Sequence, residues 1–312
     1  MTRTIAYIFI YALLGLLPLA AQTGAEAYAF LRYPASARVM ALGGYNVSLV
    51  EPDASLAFQN PGLAGPETNR MLSLSYMNFF GAVNHGSALF TRAMGEKAAW
   101  GVGASFASYG SLRQISPDNI DEGEFSAGDV GLSLFYSRSL SDKWRGGIAF
   151  KVLYSSIESY SSIGLAADAG LSYYDSEREQ SFGIAISNAG GQIKSYADRR
   201  YALPWDVRAG FSRRMAHAPF RISLTAMYLN RWDIAFVEHF VAGIDFIPSD
   251  NFWLAVGYNP RVARDLRIES GNTFGGFSAG GGIRIKSFDL SVGLARYHPS
   301  AISLMIGLST QL

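Results

Sequence analysis

The chain has 312 residues, a formal net charge of +1 and no cysteine. A balanced charge argues against nucleic-acid binding, which usually requires a basic face. The lack of cysteine excludes disulfide frameworks, thiol catalysis and cysteine-ligated zinc. Charged residues make up only 16% of the chain, against roughly 25% in typical soluble domains. Glycine, tyrosine and phenylalanine are abundant, so the composition suits a membrane β-barrel, a soluble β-sandwich or a propeller.

Residues 1–21 are predicted to be a cleaved signal peptide. Arg3 gives a positive start, residues 5–17 form an apolar stretch, and Pro18 interrupts it. Ala20 and Ala21 provide small residues for cleavage. A membrane anchor is the alternative, but the apolar stretch is shorter than the roughly twenty residues that a spanning helix needs. Any later membrane crossing is therefore expected to use strands.

Residues 22–70 are rich in Ala, Gly, Ser and Pro, and they show no sustained alternation of apolar and polar residues. A flexible linker is one interpretation. Apolar residues such as Phe30, Leu42 and Phe58 argue against disorder. We expect an ordered N-terminal plug or hatch that fills the lumen of the following domain or lies beneath it.

Residues 71–312 are dominated by a period of two. Val130, Leu132 and Leu134, for example, alternate with Gly131 and Ser133. This period places the two sets on opposite faces of a strand. The second face is mostly Gly, Ala and Ser, which suits a lumen better than the charged outer surface of a soluble sandwich. The segments are also long enough to span a bilayer when tilted.

The connections between these segments alternate in length. Short turns are predicted at 95–97, 141–143, 176–178, 248–250 and 286–287, and long connections at 110–124, 190–204 and 259–274. Outer-membrane barrels alternate short periplasmic turns with longer outer loops. The sequence therefore predicts an all-β, transmembrane, antiparallel up-and-down β-barrel of about 14 strands. It would be integral to the cell outer membrane.

Strand parity places seven charged residues on the face predicted to line the lumen: Lys151, Asp168, Arg208, Arg221, Asp245, Arg284 and Asp289. If residues 286–287 form a two-residue turn, Arg284 and Asp289 lie opposite each other and can form an ion pair. An internal structural network is the expected role, and a transport path is the alternative.

Motifs for catalysis or cofactor binding are absent from the sequence, so we expect no enzymatic activity, resident metal or cofactor. The four histidines are isolated, and no Gly-x-Ser-x-Gly elbow lies between a strand and a helix. The acidic group Asp118, Asp121, Glu122 and Glu124 falls in a predicted long loop. The spacing of these residues differs from that of an EF-hand, so a solvated loop is the favoured interpretation. Calcium binding is the alternative.

Several stretches resemble the PorV/PorQ family of outer-membrane proteins: residues 34–38 (PASAR), 41–44 (ALGG), 53–61 (DASLAFQNP), 72–78, 123–127, 154–156, 187–192 and 211–223. The combination of Asp53-Ala-Ser with Asn60-Pro61 is also similar to the N-terminal hatch of the FadL fatty-acid transporters. The chain departs from the usual barrel ending, because it closes on Leu312 and not on an aromatic residue.

The resemblance implies a role in the type IX secretion system of Bacteroidetes. The partners would be outer-membrane lipid, lipopolysaccharide and a PorZ-like surface protein, with PorU- and PorV-like proteins in the same attachment complex. Outer-loop residues are candidate contacts for the surface protein: Ile115, Ile120, Phe125, Tyr196, Tyr201 and Leu203. The alternative function is FadL-like transport of hydrophobic small molecules, which would require an apolar pocket that leads to a gap in the wall.

Overall fold

The computed structural model describes residues 26–115, 118, 120–197, 199–267, 275–298 and 301–312, with the backbone alone at Phe80 and Glu122. The predicted signal peptide, residues 1–21, lies outside the described residues. Among the helices of the described part, none has both the length and the apolar character of a membrane-crossing helix.

The described residues form fourteen antiparallel strands that close into a barrel in sequence order. Closure comes from β1 and β14, whose pairing runs from Met71 opposite Gln311 to Asn78 opposite Leu304. This confirms the predicted fold class. The strands are β1 Met71–Phe80, β2 Val83–Met94, β3 Ala98–Ile115, β4 Asp121–Ser139, β5 Trp144–Ile157, β6 Tyr160–Asp175, β7 Gln180–Lys194, β8 Asp206–Arg214, β9 Phe220–Ala226, β10 Phe240–Ser249, β11 Phe252–Tyr258, β12 Phe277–Ile285, β13 Phe288–His298 and β14 Ala301–Gln311.

The outward and inward faces of the strands differ as the period of two predicts. On β4, Leu132 and Leu134 are each 56% exposed, whereas Ser133 between them and Phe135 after them are buried. On β11, Leu254 and Val256 are exposed and Ala255 is buried. The outer face of the barrel is therefore a continuous apolar surface, and the inner face carries most of the small and polar side chains.

The two ends of the barrel are unequal. The short-turn end carries connections such as residues 95–97, 140–143 and 286–287. The long-connection end carries residues 195–205, 227–239 and the helix α2 (Pro260–Asp265). Two predictions about this end were wrong. Strand β3 continues to Ile115 and β4 begins at Asp121, so the connection expected at 110–124 is shorter than predicted. The alternation of Phe220, Ile222, Leu224 and Tyr228 predicts a strand that continues to Tyr228 with this side chain facing outward, but β9 ends at Ala226.

The N-terminal segment, residues 26–70, contains the helix α1 (Ala37–Ala41) and four short 3₁₀ turns at Ala29–Arg32, Ala54–Phe58, Pro61–Leu63 and Pro66–Thr68. Asp53 and Asn60 cap two of these turns by accepting backbone N–H bonds from Ser55 and Gly62. Proline at the first turn position suits such a start, because its missing N–H would be unsatisfied there anyway.

This segment contacts the inner face around the circumference of the barrel. A Cβ atom added to Gly147 of β5 would lie 2.3 Å from Pro61, and one added to Gly183 of β7 would lie 1.9 Å from the Val47 carbonyl oxygen. Gly257 of β11 and Gly293 of β13 approach the backbone of residues 37–43 in the same way. The segment therefore lies inside the barrel, and these inward glycines make room for its backbone.

We expect Gly147→Ala to destabilise the protein by about 1–3 kcal/mol, since the added methyl overlaps the Pro61 backbone and overpacks the lumen. Unfolding by denaturant in detergent measures this, and limited proteolysis reports release of residues 26–70. Gly191→Ala is the matched control, because no atom lies within 4 Å of its added Cβ. Equal stability of the two variants would show that the close approach at Gly147 is unimportant.

Candidate functional site

Five of the seven predicted lumenal charges are buried in the barrel interior: Lys151, Asp168, Arg208, Arg221 and Asp245. Arg284 and Asp289 lie opposite each other in the β12–β13 register, and their side chains form a partly exposed ion pair of 2.7 Å at the short-turn end. The buried charges fall into three groups, each with its own partners.

The largest group centres on Asp245, whose side chain is fully buried. One carboxylate oxygen accepts a hydrogen bond of 3.1 Å from Arg38 Nε, and the other accepts one of 3.0 Å from Arg221 Nε. Arg221 also donates to Glu51 at 2.5 Å, and the Arg38 guanidinium lies 4.5 Å from the centre of the Trp253 ring. We call Arg38, Glu51, Arg221 and Asp245 the short-end network.

Glu51 shows how this network balances burial against charge. Burial opposes its ionisation, but Arg221 and Arg38 outweigh that effect and hold the pKa of Glu51 below its usual range. A lowered pKa means that the charge of Glu51 stabilises the folded state at neutral pH. This contribution is lost as the pH falls through the lowered pKa.

A cavity of about 270 Å³ lies beside the short-end network. Charged side chains such as Arg38, Glu51, Arg284 and Asp289 line it, together with Trp253. Its charged lining differs from the apolar lumenal pocket that a transporter of hydrophobic molecules requires.

The second group lies in the wall at β5, β6 and β7. Lys151 Nζ is 2.6 Å from an Asp168 oxygen and donates to Asn188 Oδ1 at 2.7 Å. The Asn188 N–H in turn donates to Asp168 at 2.7 Å. Asn188 has a positive φ of 58° beside a register shift between β6 and β7. The three side chains therefore satisfy polar groups that this irregular part of the wall leaves inside.

The third group joins Arg208 to the N-terminal segment. Arg208 Nε donates to Asp206 at 2.7 Å, and its guanidinium lies 4.8 Å from the centre of the Tyr45 ring. Asp206 therefore pairs with Arg208, whereas Arg221 is neutralised by Asp245 and Glu51. The partners Arg38, Tyr45 and Glu51 come from residues 26–70, where strand parity provides no prediction of side-chain direction.

Side chains of the N-terminal segment and the loops cover the long-connection end of the lumen. Ala27 donates its N–H to the Ala202 carbonyl, and Arg32 pairs with Glu26 at 2.7 Å. The Tyr228 ring has the Arg32 guanidinium at 4.8 Å and the Arg261 guanidinium at 4.7 Å. Tyr228, expected on the outward face, is buried because β9 ends at Ala226 and the chain turns inward with a positive φ.

The candidate partner-contact residues are divided by the structure. Leu203 is buried against Tyr28 and Phe30, so its assignment as a surface contact was wrong. Tyr196 and Tyr201 pack against the same cluster and are half-buried. Ile115 is 56% exposed and Ile120 is 62% exposed, and Phe125 is partly exposed. An apolar residue in a loop can thus either face outward, where a partner could bind it, or pack over the lumen. Its residue type alone does not show which.

The outer wall carries an apolar groove of about 550 Å³ near the short-turn end. Its lining residues come from β4 to β7 and their turns: Tyr136, Arg138, Leu140, Gly146, Gly147, Ile148, Ala169, Gly170, Leu171, Ile184 and Ile186. Directly behind Gly147 and Gly170 lie Pro61 and Asn60 of the N-terminal segment. The Asn60 amide donates to the Leu171 and Val47 carbonyls at 3.2 and 2.8 Å. Here a single backbone layer separates the groove from the N-terminal segment.

Within the described ranges, no three His, Asp or Glu residues are arranged to hold a metal ion. Asp121 instead accepts the Gly123 N–H, and Glu124 accepts a hydrogen bond from Ser111. Buried His85 has the Tyr33 ring at its edge, with the ring centres 5.5 Å apart.

No protein-family model matches the chain, and no curated protein matches its sequence. Solved structures do match the fold. The Pseudomonas putida toluene transporter TodX has a TM-score of 0.61 at 12% identity, over 94% of this chain and 100% of TodX. A Pseudomonas aeruginosa FadL homologue has a TM-score of 0.55 at 9% identity, over 89% and 98% of the two chains. The fold is therefore that of FadL-type barrels.

We expect Asp245→Asn to cost about 3–5 kcal/mol, because it removes the carboxylate that buried Arg221 shares with the partly buried Arg38. The control Asp289→Asn breaks a partly exposed pair and should cost no more than about 1 kcal/mol. Denaturant unfolding in detergent gives both values. A cost at Asp245 no greater than that at Asp289 would contradict the central role of the short-end network.

Proposed function

We propose that the protein is an integral outer-membrane barrel that passes hydrophobic small molecules. The observation that carries this proposal is the apolar wall groove, behind which the N-terminal segment lies one backbone layer away. A hydrophobic molecule dissolved in the bilayer can occupy such a groove without leaving an apolar environment. The fold shared with a toluene transporter and a FadL homologue supports the same cargo class.

The outer face supports the membrane placement. Large apolar side chains alternate along the strands and are about half exposed, among them Ile148, Phe150, Val152 and Tyr154 on β5. A continuous apolar surface of this kind is unstable against water. A closed barrel can present it to lipid, because every strand finds its hydrogen-bond partners within the protein.

The route past the wall has to involve the N-terminal segment. Asn60 ties this segment to β6 through the Leu171 carbonyl, and Gly147 and Gly170 leave no space for an inward Cβ. A molecule that moves from the groove to the lumen must therefore part paired strands of the wall, such as β5 and β6, and displace the turn around Asn60 and Pro61 behind them. We propose that this turn is the movable part of the hatch.

Ala169→Phe should abolish most uptake of a hydrophobic compound, because the outward benzyl group fills the groove. Uptake of a radiolabelled monoaromatic hydrocarbon by a Gram-negative host that expresses the protein provides the measurement. Ala104→Phe is the control, since Ala104 is partly exposed and faces outward on β3, away from the groove. Unchanged uptake by the Ala169 variant, at equal amounts of barrel in the membrane, would contradict the proposed route.

A second candidate function is supported by the hairpin of β3 and β4. Pairing with β2 reaches only Ser108, and pairing of β4 with β5 reaches only Ala127, so the hairpin projects beyond the rest of the wall. Exposed Ile115 and Ile120 lie on this projecting part. A two-stranded hairpin is only marginally stable by itself. A surface protein that covers it would bury these apolar side chains.

This second function is a surface-attachment scaffold. The resemblance to the PorV/PorQ family supports it and names the PorQ role in type IX secretion: an outer-membrane anchor for a PorZ-like protein that helps attach cargo to lipopolysaccharide. The ionic contents of the lumen also suit a barrel that serves as an anchor. Neither function requires a catalytic residue or a cofactor.

Under the scaffold function, the double variant Ile115→Asp, Ile120→Asp should reduce recovery of a co-purifying surface protein about tenfold or more, since central apolar contacts dominate binding. The experiment is mild-detergent purification from native outer membranes followed by mass spectrometry. Ile193→Asp is the control, because Ile193 is 61% exposed at the same end but lies outside the hairpin. Equal recovery from all variants would exclude the hairpin as the docking surface.

A further inference from the structure

The connection between β9 and β10, residues 227–239, is held firmly at several points. Ile234 packs against the buried cluster of Met227, Tyr228 and Val241. Glu238 is buried and accepts hydrogen bonds of 2.6 Å from Arg264 of α2 with both carboxylate oxygens. The Met227 N–H donates to the His239 carbonyl at the base. The connection therefore presents a defined outer surface.

That surface is apolar. Trp232 is 93% exposed, Phe236 77% and Val237 64%, so Trp232 is the most exposed large apolar side chain in the described part of the chain. Large exposed apolar side chains on one fixed loop mark a site that meets either another protein or a membrane.

The position of Phe236 indicates that this site meets the membrane. Its ring lies 5.0 Å from the ring of Phe240, the first residue of β10. Phe240 pairs with Ala226 on the outward side of the sheet, in line with exposed Leu224 and Ile244. Phe236 therefore extends the outward apolar face of the barrel beyond the end of its strands, at the long-connection end.

The exposed charges do not favour an anionic partner. Arg264 has a side chain that is 62% exposed and bonded to Glu238, while Asp233 and Asp265 are 60% and 63% exposed. Attraction to this surface must therefore come from the apolar side chains. Tryptophan in particular is enriched where an apolar core meets lipid headgroups.

We propose that the β9–β10 connection is a lipid-surface anchor that inserts Trp232, Phe236 and Val237 into the interfacial layer of the membrane. The partner is the lipid surface itself, recognised by apolar contact and not by headgroup charge. The anchor fixes the rim of the barrel, and the loops that cover the lumen, at the height of the headgroups. This inference rests on the membrane placement proposed above, but it is independent of what the barrel transports or binds.

The test uses the full chain in phosphatidylcholine vesicles, with and without lipids brominated in the upper part of the acyl chains. The emission of Trp232 is obtained by subtracting the spectrum of Trp232→Phe from that of the unaltered protein. The emission of Trp144, which is 42% exposed at the start of β5, is obtained in the same way with Trp144→Phe. Both variants keep an aromatic ring, so we expect both to fold.

We expect brominated lipid to cause a loss of Trp232 emission comparable with the loss at Trp144, and Trp232 to be protected from aqueous iodide. Quenching of Trp144 alone, with Trp232 open to iodide, would overturn the lipid anchor and leave the patch as a surface for a protein. If neither tryptophan is quenched by brominated lipid, the membrane placement itself fails, and the anchor fails with it.

Discussion

Closure of the barrel by β1 and β14 is the constraint on which the rest of the structure depends. Met71 to Asn78 pair with Gln311 to Leu304 and leave no open edge between the first and last strands. Without that pairing, two strands would present unsatisfied N–H and C=O groups beside an apolar surface, which is costly in lipid and promotes aggregation in water. Closure therefore allows side chains such as Leu132 and Leu134 to face outward.

Closure also creates an interior that has to be filled. Fourteen strands enclose more volume than their small inward side chains occupy, and the inner face carries Arg221, Asp245 and other charges. The N-terminal segment solves both problems. Its backbone approaches inward glycines such as Gly183, while Arg38 and Glu51 complete the charge balance around Asp245 and Arg221. Barrel and segment are thus one packing unit.

Much of the barrel could be predicted because a period of two reports side-chain direction directly. The Arg284–Asp289 register follows from a two-residue turn in the same way. Prediction failed outside the strands, where a period of two no longer reports the direction of a side chain. Tyr228 continues the alternation of β9 although the strand has ended, and Leu203 is an apolar loop residue that turns inward. The roles of Arg38 and Glu51 could not be predicted, because residues 26–70 lack any period.

The contents of the lumen restrict where any function can take place. A path along the barrel axis would have to displace the N-terminal segment. This would take Arg38 away from Asp245 and Glu51 away from Arg221, and a buried charge that loses its partner is costly. The apolar groove lies on the outside of the wall at Gly147 and Gly170, away from these ion pairs, and Asn60 and Pro61 lie behind it. Under the proposed transport function, movement through the wall would leave the short-end network intact, whereas axial movement would break its contacts with the N-terminal segment.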